Sequence, residues 1–171
     1  MTKIIGIHGK AWSGKDTVAE HLVSKYGYKQ YAFADPMYKM LEVIGVYNVG
    51  RHEKERPHPI YGVSLRHMLQ ELGDAWGRER INKDVWVIAA QMMMQGDPED
   101  TKYVISDIRR ENEADLVRKK GGFVIHLQRN ELPKVREHGS EEGIEFKAGD
   151  VRLENNGSLL DLYLAVDRLL E

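Results

Sequence analysis

The chain has 171 residues, 42% hydrophobic and 30% charged, with a formal net charge of −2 and no cysteine. Such a length and composition suit one ordinary globular domain with its own core. The near-neutral balance excludes an overall basic field for a nucleic-acid polymer, and the missing thiols exclude a disulfide framework or a thiolate metal site.

Lys3 to His8 (KIIGIH) reads as an apolar strand, entered without a charged, apolar-cored leader. No apolar run approaches membrane-spanning length, so a cytoplasmic protein without a membrane partner is expected. The strand runs into Gly9-Lys10-Ala11-Trp12-Ser13-Gly14-Lys15-Asp16-Thr17, and Val18, Ala19, Leu22 and Val23 follow with the spacing of one helix face. Strand, glycine loop and helix in that order are the setting of a phosphate-binding loop. Gly9, Lys10, Ser13, Gly14, Lys15, Asp16 and Thr17 are its candidate ligand-binding residues. The glycines let backbone N–H groups turn toward phosphate oxygens at the positive end of the helix, and Lys15 reaches the terminal phosphates. Asp16 stands where the usual pattern has Ser or Thr. It is a hard-oxygen ligand suited to Mg²⁺, which leaves Thr17 to bind a phosphate. A glycine-rich turn that binds nothing is the alternative.

Lys29 to Ala34 reads as a second strand, stopped by Asp35-Pro36, with Pro36 opening a helix that carries Met37, Met40, Leu41 and Ile44. Gly45 to Gly62 is a polar insert, either a solvated loop or a substrate flap. Ser64 to Gly77 is expected to be helical, as is Val85 to Gln95, whose Met92-Met93-Met94 run reads as core filling. Tyr103 to Ser106 has the pattern of a buried parallel strand, Arg110 to Lys120 of a charged helix ended by Gly121-Gly122, and Phe123 to Leu127 of another strand. Arg129 to Ala148 is charged and aperiodic, as in a lid or long loop. Asp150 to Glu154 is a candidate last strand, and a terminal helix capped by Ser158 carries Leu159, Leu162, Tyr163, Val166, Leu169 and Leu170. This alternation predicts an α/β fold, a parallel sheet covered by helices on both faces, with ligands at the carboxyl ends of its strands.

Asp35 and Asp107 both fall at such ends. Asp107 is either a metal-shell carboxylate or a helix N-cap. Arg109 either clamps phosphate oxygens or pairs with Glu113. Arg66 and Gln70, four apart, share one helix face and suit a phosphate and a base edge, although both types also decorate exposed helices. Arg78 and Arg80 extend the candidate anion cluster. Phe33 and Trp76 either stack on a base or fill the core, and His8 beside the loop reads as a satisfied histidine. The seven histidines show no zinc-ligand spacing.

Gly9…Ser13-Gly14-Lys15-Asp16, Phe33-Ala34-Asp35-Pro36, Arg66-x-x-Leu69-Gln70-x-x-Gly73, Asp107-Ile108-Arg109-x-x-x-Glu113 and His138-Gly139-Ser140-Glu141 together resemble the bacteriophage-type deoxynucleoside monophosphate kinases. These are a branch of the P-loop nucleoside-monophosphate kinases, and the resemblance spans nearly the whole chain. It implies a single P-loop kinase domain over 1–171, with an acceptor-binding helical region at 35–80 and a lid-like insert at 129–148. It also implies transfer of the γ-phosphoryl group of ATP to a deoxynucleoside monophosphate, with Mg²⁺ near Asp16, Thr17 and Asp107. Lys15, Arg66, Arg109 and Arg129 are then the catalytic cations, and Phe33, Asp35, Arg66, Gln70, Trp76 and Arg78 the acceptor contacts. Monomer and homodimer are both compatible with the sequence. Another small-molecule kinase on this scaffold, such as a phosphomevalonate or dephospho-coenzyme-A kinase, and a non-catalytic nucleotide-binding module are the competing readings.

Overall fold

The computed structural model describes residues 3–50, 53–130 and 143–171. The chain divides into two compact units, one of Met1–Ala32 with Asp97–Glu171 and one of Phe33–Gly96. The strands are β1 (Ile4–His8), β2 (Lys29–Tyr31), β3 (Tyr103–Ile108), β4 (Phe123–Gln128) and β5 (Val151–Glu154). The helices are α1 (Lys15–Tyr26), α2 (Asp35–Glu42), α3 (Leu65–Gln70), α4 (Val85–Gln95), α5 (Glu111–Lys119) and α6 (Leu159–Arg168).

In the first unit all five strands pair in parallel, in the order β2-β3-β1-β4-β5. Strand alternation sends Ile5 and Ile7 of β1 to one face, where they are buried with Val18, Ala19 and Leu22 of α1 and Leu162 and Val166 of α6. Gly6 lies on the other face, where an added Cβ would stand 3.1 Å from Val117 of α5. Both faces are therefore covered, as the apolar strands require. The order reverses on either side of β1, so the loop after β1 opens at a topological switch point.

Val23, expected on the buried face of α1, is 38% exposed, whereas His21 is buried. The His21 ring stacks on Tyr163, with centroids 4.1 Å apart. Asp167 of α6 accepts hydrogen bonds from His21 Nε2 at 2.7 Å, Lys25 Nζ at 2.7 Å and Tyr26 Oη at 2.8 Å. Lys25, His21 and Tyr26, in that order, hold this carboxyl far below the usual carboxylate range. Stabilisation from a depressed carboxyl is full above its unfolded pKa, near about 4, and fades as pH falls below that. Asp167→Asn is expected to lower the thermal midpoint at pH 7 by a few degrees, with the gap to wild type narrowing in acid. Melts at both pH values check this.

In the second unit Leu41, Val46 and Leu65 form the core, with Tyr38, Met68, Leu69 and Leu72 packed against them. The expected strand through Ala34 ends instead at Tyr31, because Ala34 already has helical torsions as the N-cap of α2, with Pro36 in the first turn. The insert expected over Gly45 to Gly62 holds no helix or strand among its described residues, apart from the flanking Pro57–Ser64 bridge, yet it buries Val46. The Met92 to Met94 run is split, with Met94 buried and Met92 68% exposed.

The largest departure is at Ser64 to Gly77. Ser64 caps α3 by accepting from the His67 N–H, but after Gln70 the chain widens into a π-helix over Glu71–Ile81. A Cβ on Gly77 would lie 2.6 Å from the Trp86 indole, and the Gly73 carbonyl accepts from Trp86 Nε1 at 2.9 Å. Gly77 thus admits the indole of α4 against this segment, and the Gly73 carbonyl anchors it. Long π-helical stretches are rare and cluster at functional sites.

Candidate active site

The loop between β1 and α1 is built by close approach. A Cβ on Gly9 would lie 2.5 Å from the Leu127 carbonyl oxygen and 2.8 Å from Ser13 Oγ. Gly14 has φ 104°, left-handed and suited to glycine, and a Cβ there would meet Asn155 Nδ2 at 2.5 Å. Trp12 adopts φ 68° without being glycine, a strained conformation costing on the order of 1 kcal/mol. Strain of this kind gathers where backbone geometry serves a ligand. Lys15 Nζ donates to the Gly9 carbonyl at 2.5 Å and the Lys10 carbonyl at 2.8 Å, so the loop curls around its ammonium. Ser13 Oγ is buried and has no hydrogen-bond partner among the described residues. An orphaned hydroxyl beneath a curled loop is what an absent phosphate oxygen would satisfy. Asp16 is exposed in the first turn of α1, and Thr17 is half-buried.

Asp107 lies inside β3, which runs two residues beyond the expected strand end, and does not cap α5. That cap position belongs to Arg110. The buried Glu113 carboxylate accepts from the backbone N–H of Arg109 at 2.8 Å and of Arg110 at 3.1 Å. Glu113 therefore grips the backbone of the turn, and the alternative reading of Arg109, a side-chain pair with Glu113, does not form. The exposed Arg109 guanidinium makes no ion pair with a described residue. Arg129 follows β4 and is likewise exposed. Of the expected lid, residues 131–142, which include His138 to Glu141, lie outside the described residues.

In the second unit Asp35 opens α2, and Arg66 and Gln70 both lie on α3. Arg66 Nε donates to Glu55 Oε1, and Arg78 Nη1 donates to the Gly73 carbonyl and to Asp74 Oδ1, each at 2.9 Å. Both guanidinium groups are thus held by partners within the unit. Phe33 is 2% exposed and turns into the core, while Trp76 is 38% exposed and presents ring surface. Arg80 is exposed on the π-helix, and His8, half-buried, has Nδ1 3.0 Å from the Ile108 carbonyl oxygen.

Sequence reasoning missed one support of the loop, Asn155, and a buried carboxylate, Asp150, that organises residues 145–150. Asn155, just beyond β5, donates from Nδ2 to the Ser13 carbonyl at 2.8 Å and braces the loop from beside. Its position at a strand's carboxyl end was the available signal. Asp150 accepts from Arg118 Nη2 at 2.6 Å, from the N–H groups of Lys147 and Val124, and from His126 Nε2 at 3.2 Å. Burial pushes the Asp150 carboxyl up, but these donors, Arg118 foremost, outweigh it and hold it at about 2. Glu111 and Asp115 of α5 both bind Arg118 and Lys147, so residues 145–150 are tied to α5. Among the described residues no helix is long and apolar enough to cross a membrane.

The sequence model of the family described as deoxynucleotide monophosphate kinase matches residues 60–166, more than half of the chain. A provisionally named deoxynucleotide monophosphate kinase of Acanthamoeba polyphaga mimivirus is 29% identical, over 94% of this chain and 92% of that protein. The deoxynucleoside-5′-monophosphate kinase of Escherichia phage T5 is 26% identical, over 100% of this chain and 98% of that protein. The deoxynucleotide monophosphate kinase of Escherichia phage RB69 is 29% identical over 63% of this chain, which spans 45% of that longer protein. The curled glycine loop at the switch point of a parallel sheet and these matches agree, and the chain belongs to the deoxynucleotide monophosphate kinase family and is a phosphotransferase.

Proposed function

We propose that this kinase transfers the γ-phosphoryl group of ATP to the 5′-phosphate of a deoxynucleoside monophosphate, giving the diphosphate and ADP. The observation that carries the donor side is the loop itself, with Lys15 Nζ inside the curl and Ser13 Oγ buried without a partner. An acceptor phosphate oxygen attacks the γ-phosphorus, the bond to the β–γ bridging oxygen breaks, and ADP leaves with the electron pair. The attacking oxygen is already ionised near neutral pH, so the reaction needs no strong base. The barrier is the approach of two anions, and fixed positive charge lowers it.

Lys15 and the N–H groups of Gly9, Lys10, Ser13 and Gly14 hold the donor phosphates, with Thr17 beside them. Asp16 and Asp107 suit Mg²⁺, which takes one or two carboxylates and fills its other positions with phosphate and water oxygens. Among the described residues no three His, Asp or Glu side chains gather into a closed cage. The ion, when bound, neutralises charge on the donor phosphates. Arg129, at the start of a lid over 129–148, closes over ATP, and Arg109 adds positive charge for the acceptor and transferring groups. The acceptor falls to residues 35–80, with Arg66 and Arg78 for its phosphate, Asp35 and Gln70 for polar contacts, and Trp76 for the base. Phe33, buried, supports that region from within. A cytoplasmic location suits these substrates.

ADP production from ATP and Mg²⁺ with each deoxy- and ribonucleoside monophosphate tests the reading. Turnover with at least one deoxynucleotide is the expected result, and silence across the panel with phosphomevalonate or dephospho-coenzyme A active would overturn it. Arg66→Ala is expected to raise the KM for the deoxynucleotide about tenfold, the loss of one charge-assisted hydrogen bond, and to change the KM for ATP much less. An unchanged acceptor KM would return Arg66 to its ion pair with Glu55.

A further inference from the structure

Parallel pairing sets His8 of β1 opposite His126 of β4, and His126 opposite Arg152 of β5. Residues paired in register point to the same face, so the three side chains form a row across one face of adjacent strands. The row lines a cavity of about 790 Å³ that also reaches Gly9, Lys10 and Ser13 of the phosphate loop. That volume is in the range of small-molecule sites.

The charge of its wall is one-sided. Lys10, Arg129 and Arg152 contribute three permanent cations, and no Asp or Glu is among the described lining residues. In a chain with more acidic than basic residues, such a wall is not an average sample of the surface. Arg152 makes no ion pair with a described residue, and its guanidinium lies 4.6 Å from the centre of the Phe146 ring. Stacking on a ring fixes the plane of a guanidinium without consuming its N–H groups. Ser13, whose buried Oγ has no hydrogen-bond partner among the described residues, also lines this cavity, a second observation consistent with an oxygen-rich ligand there. A surface cation–π pair alone accounts for neither the one-signed wall nor the orphaned hydroxyl.

We propose that Arg152 is a further binding residue for the terminal phosphoryl group of the donor, reaching it from β5 on the side of the phosphate loop that His8 and His126 line. This rests on the kinase reading above and deepens its donor site. Its ligand is a polyphosphate chain, held bidentately by a guanidinium that Phe146 keeps flat. Arg152 is exposed on the edge strand β5, so Arg152→Gln should fold normally.

The test measures calorimetric binding of inorganic tripolyphosphate, and steady-state turnover of ATP with a deoxynucleotide, in wild type, Arg152→Gln and Arg152→Lys. Arg152→Gln is expected to weaken tripolyphosphate binding and to lower kcat/KM for ATP, each about tenfold, with the deoxynucleotide KM at saturating ATP little changed. Arg152→Lys should recover part of the binding, since charge returns but the planar fork does not. Wild-type tripolyphosphate affinity and ATP kcat/KM in Arg152→Gln would overturn the proposal. If wild type turned over no deoxynucleotide yet tripolyphosphate binding still depended on Arg152, the anion subsite would stand and the acceptor reading would fall.

Discussion

Lys15→Ala is expected to lower kcat at least about a hundredfold with every acceptor that the wild type uses. Losing one preorganised group that stabilises developing charge costs roughly 3 kcal/mol of barrier in comparable sites. The lysine has a second duty here, because its ammonium also satisfies the Gly9 and Lys10 carbonyls from within the curl. Its removal therefore loosens the loop as well as discharging it, and ATP binding should weaken together with turnover. Trp12, held at positive φ, is the reporter for this effect, since a relaxed loop no longer enforces that conformation. Steady-state kinetics and Trp fluorescence with ATP check both parts. Near-normal turnover in Lys15→Ala would remove the loop from the chemistry.

Asp150→Asn is expected to destabilise the folded chain by roughly 2–3 kcal/mol at pH 7, a fall in midpoint of about 5–10 °C for a chain of this size. The Asp150 side chain is only 1% exposed against Arg118, and the amide keeps its volume while losing the charge. The Lys147 and Val124 N–H groups can still find the amide oxygen, but the guanidinium then faces a neutral group. Arg118 retains Glu111 and Asp115, which limits the damage. The pH dependence follows from the carboxyl's folded value of about 2. Against an unfolded value near about 3.9, its stabilisation is complete above about pH 5 and is lost as pH falls toward 2. Wild type should therefore lose about 2 kcal/mol over that window that Asp150→Asn does not lose. Denaturant titrations at pH 6 and pH 3, an interval that captures about 1 kcal/mol of that difference, make the comparison, and equal pH slopes in the two proteins would contradict the assignment.

Local sequence was enough wherever one segment carried its own instruction. The run from Lys3 to Leu22 contains the strand, the two glycines, the lysine and the helix face, and each acts on its immediate neighbours. Ser158 before a periodic apolar run likewise defines its helix, and the alternation of strands and helices implies a parallel sheet with two covered faces.

Contacts distant in sequence were decided only by the tertiary structure. Trp86 is what Gly77 makes room for and what the Gly73 carbonyl binds, so the π-helix after Gln70 could not be read from Glu71 to Ile81 alone. His21 faces the core because Tyr163 and Asp167 arrive beside it, against the apolar pattern of its own helix. Glu113 binds the backbone of Arg109 rather than its guanidinium, because the buried turn offers N–H groups at shorter reach than a solvated side chain. The chain by itself determined the strand–glycine loop–helix segment, the order of its elements and the family motifs, all matters of short spacing. Register decided the row of His8, His126 and Arg152, since which residues of three strands lie side by side depends on hydrogen bonds across the sheet that no local spacing encodes.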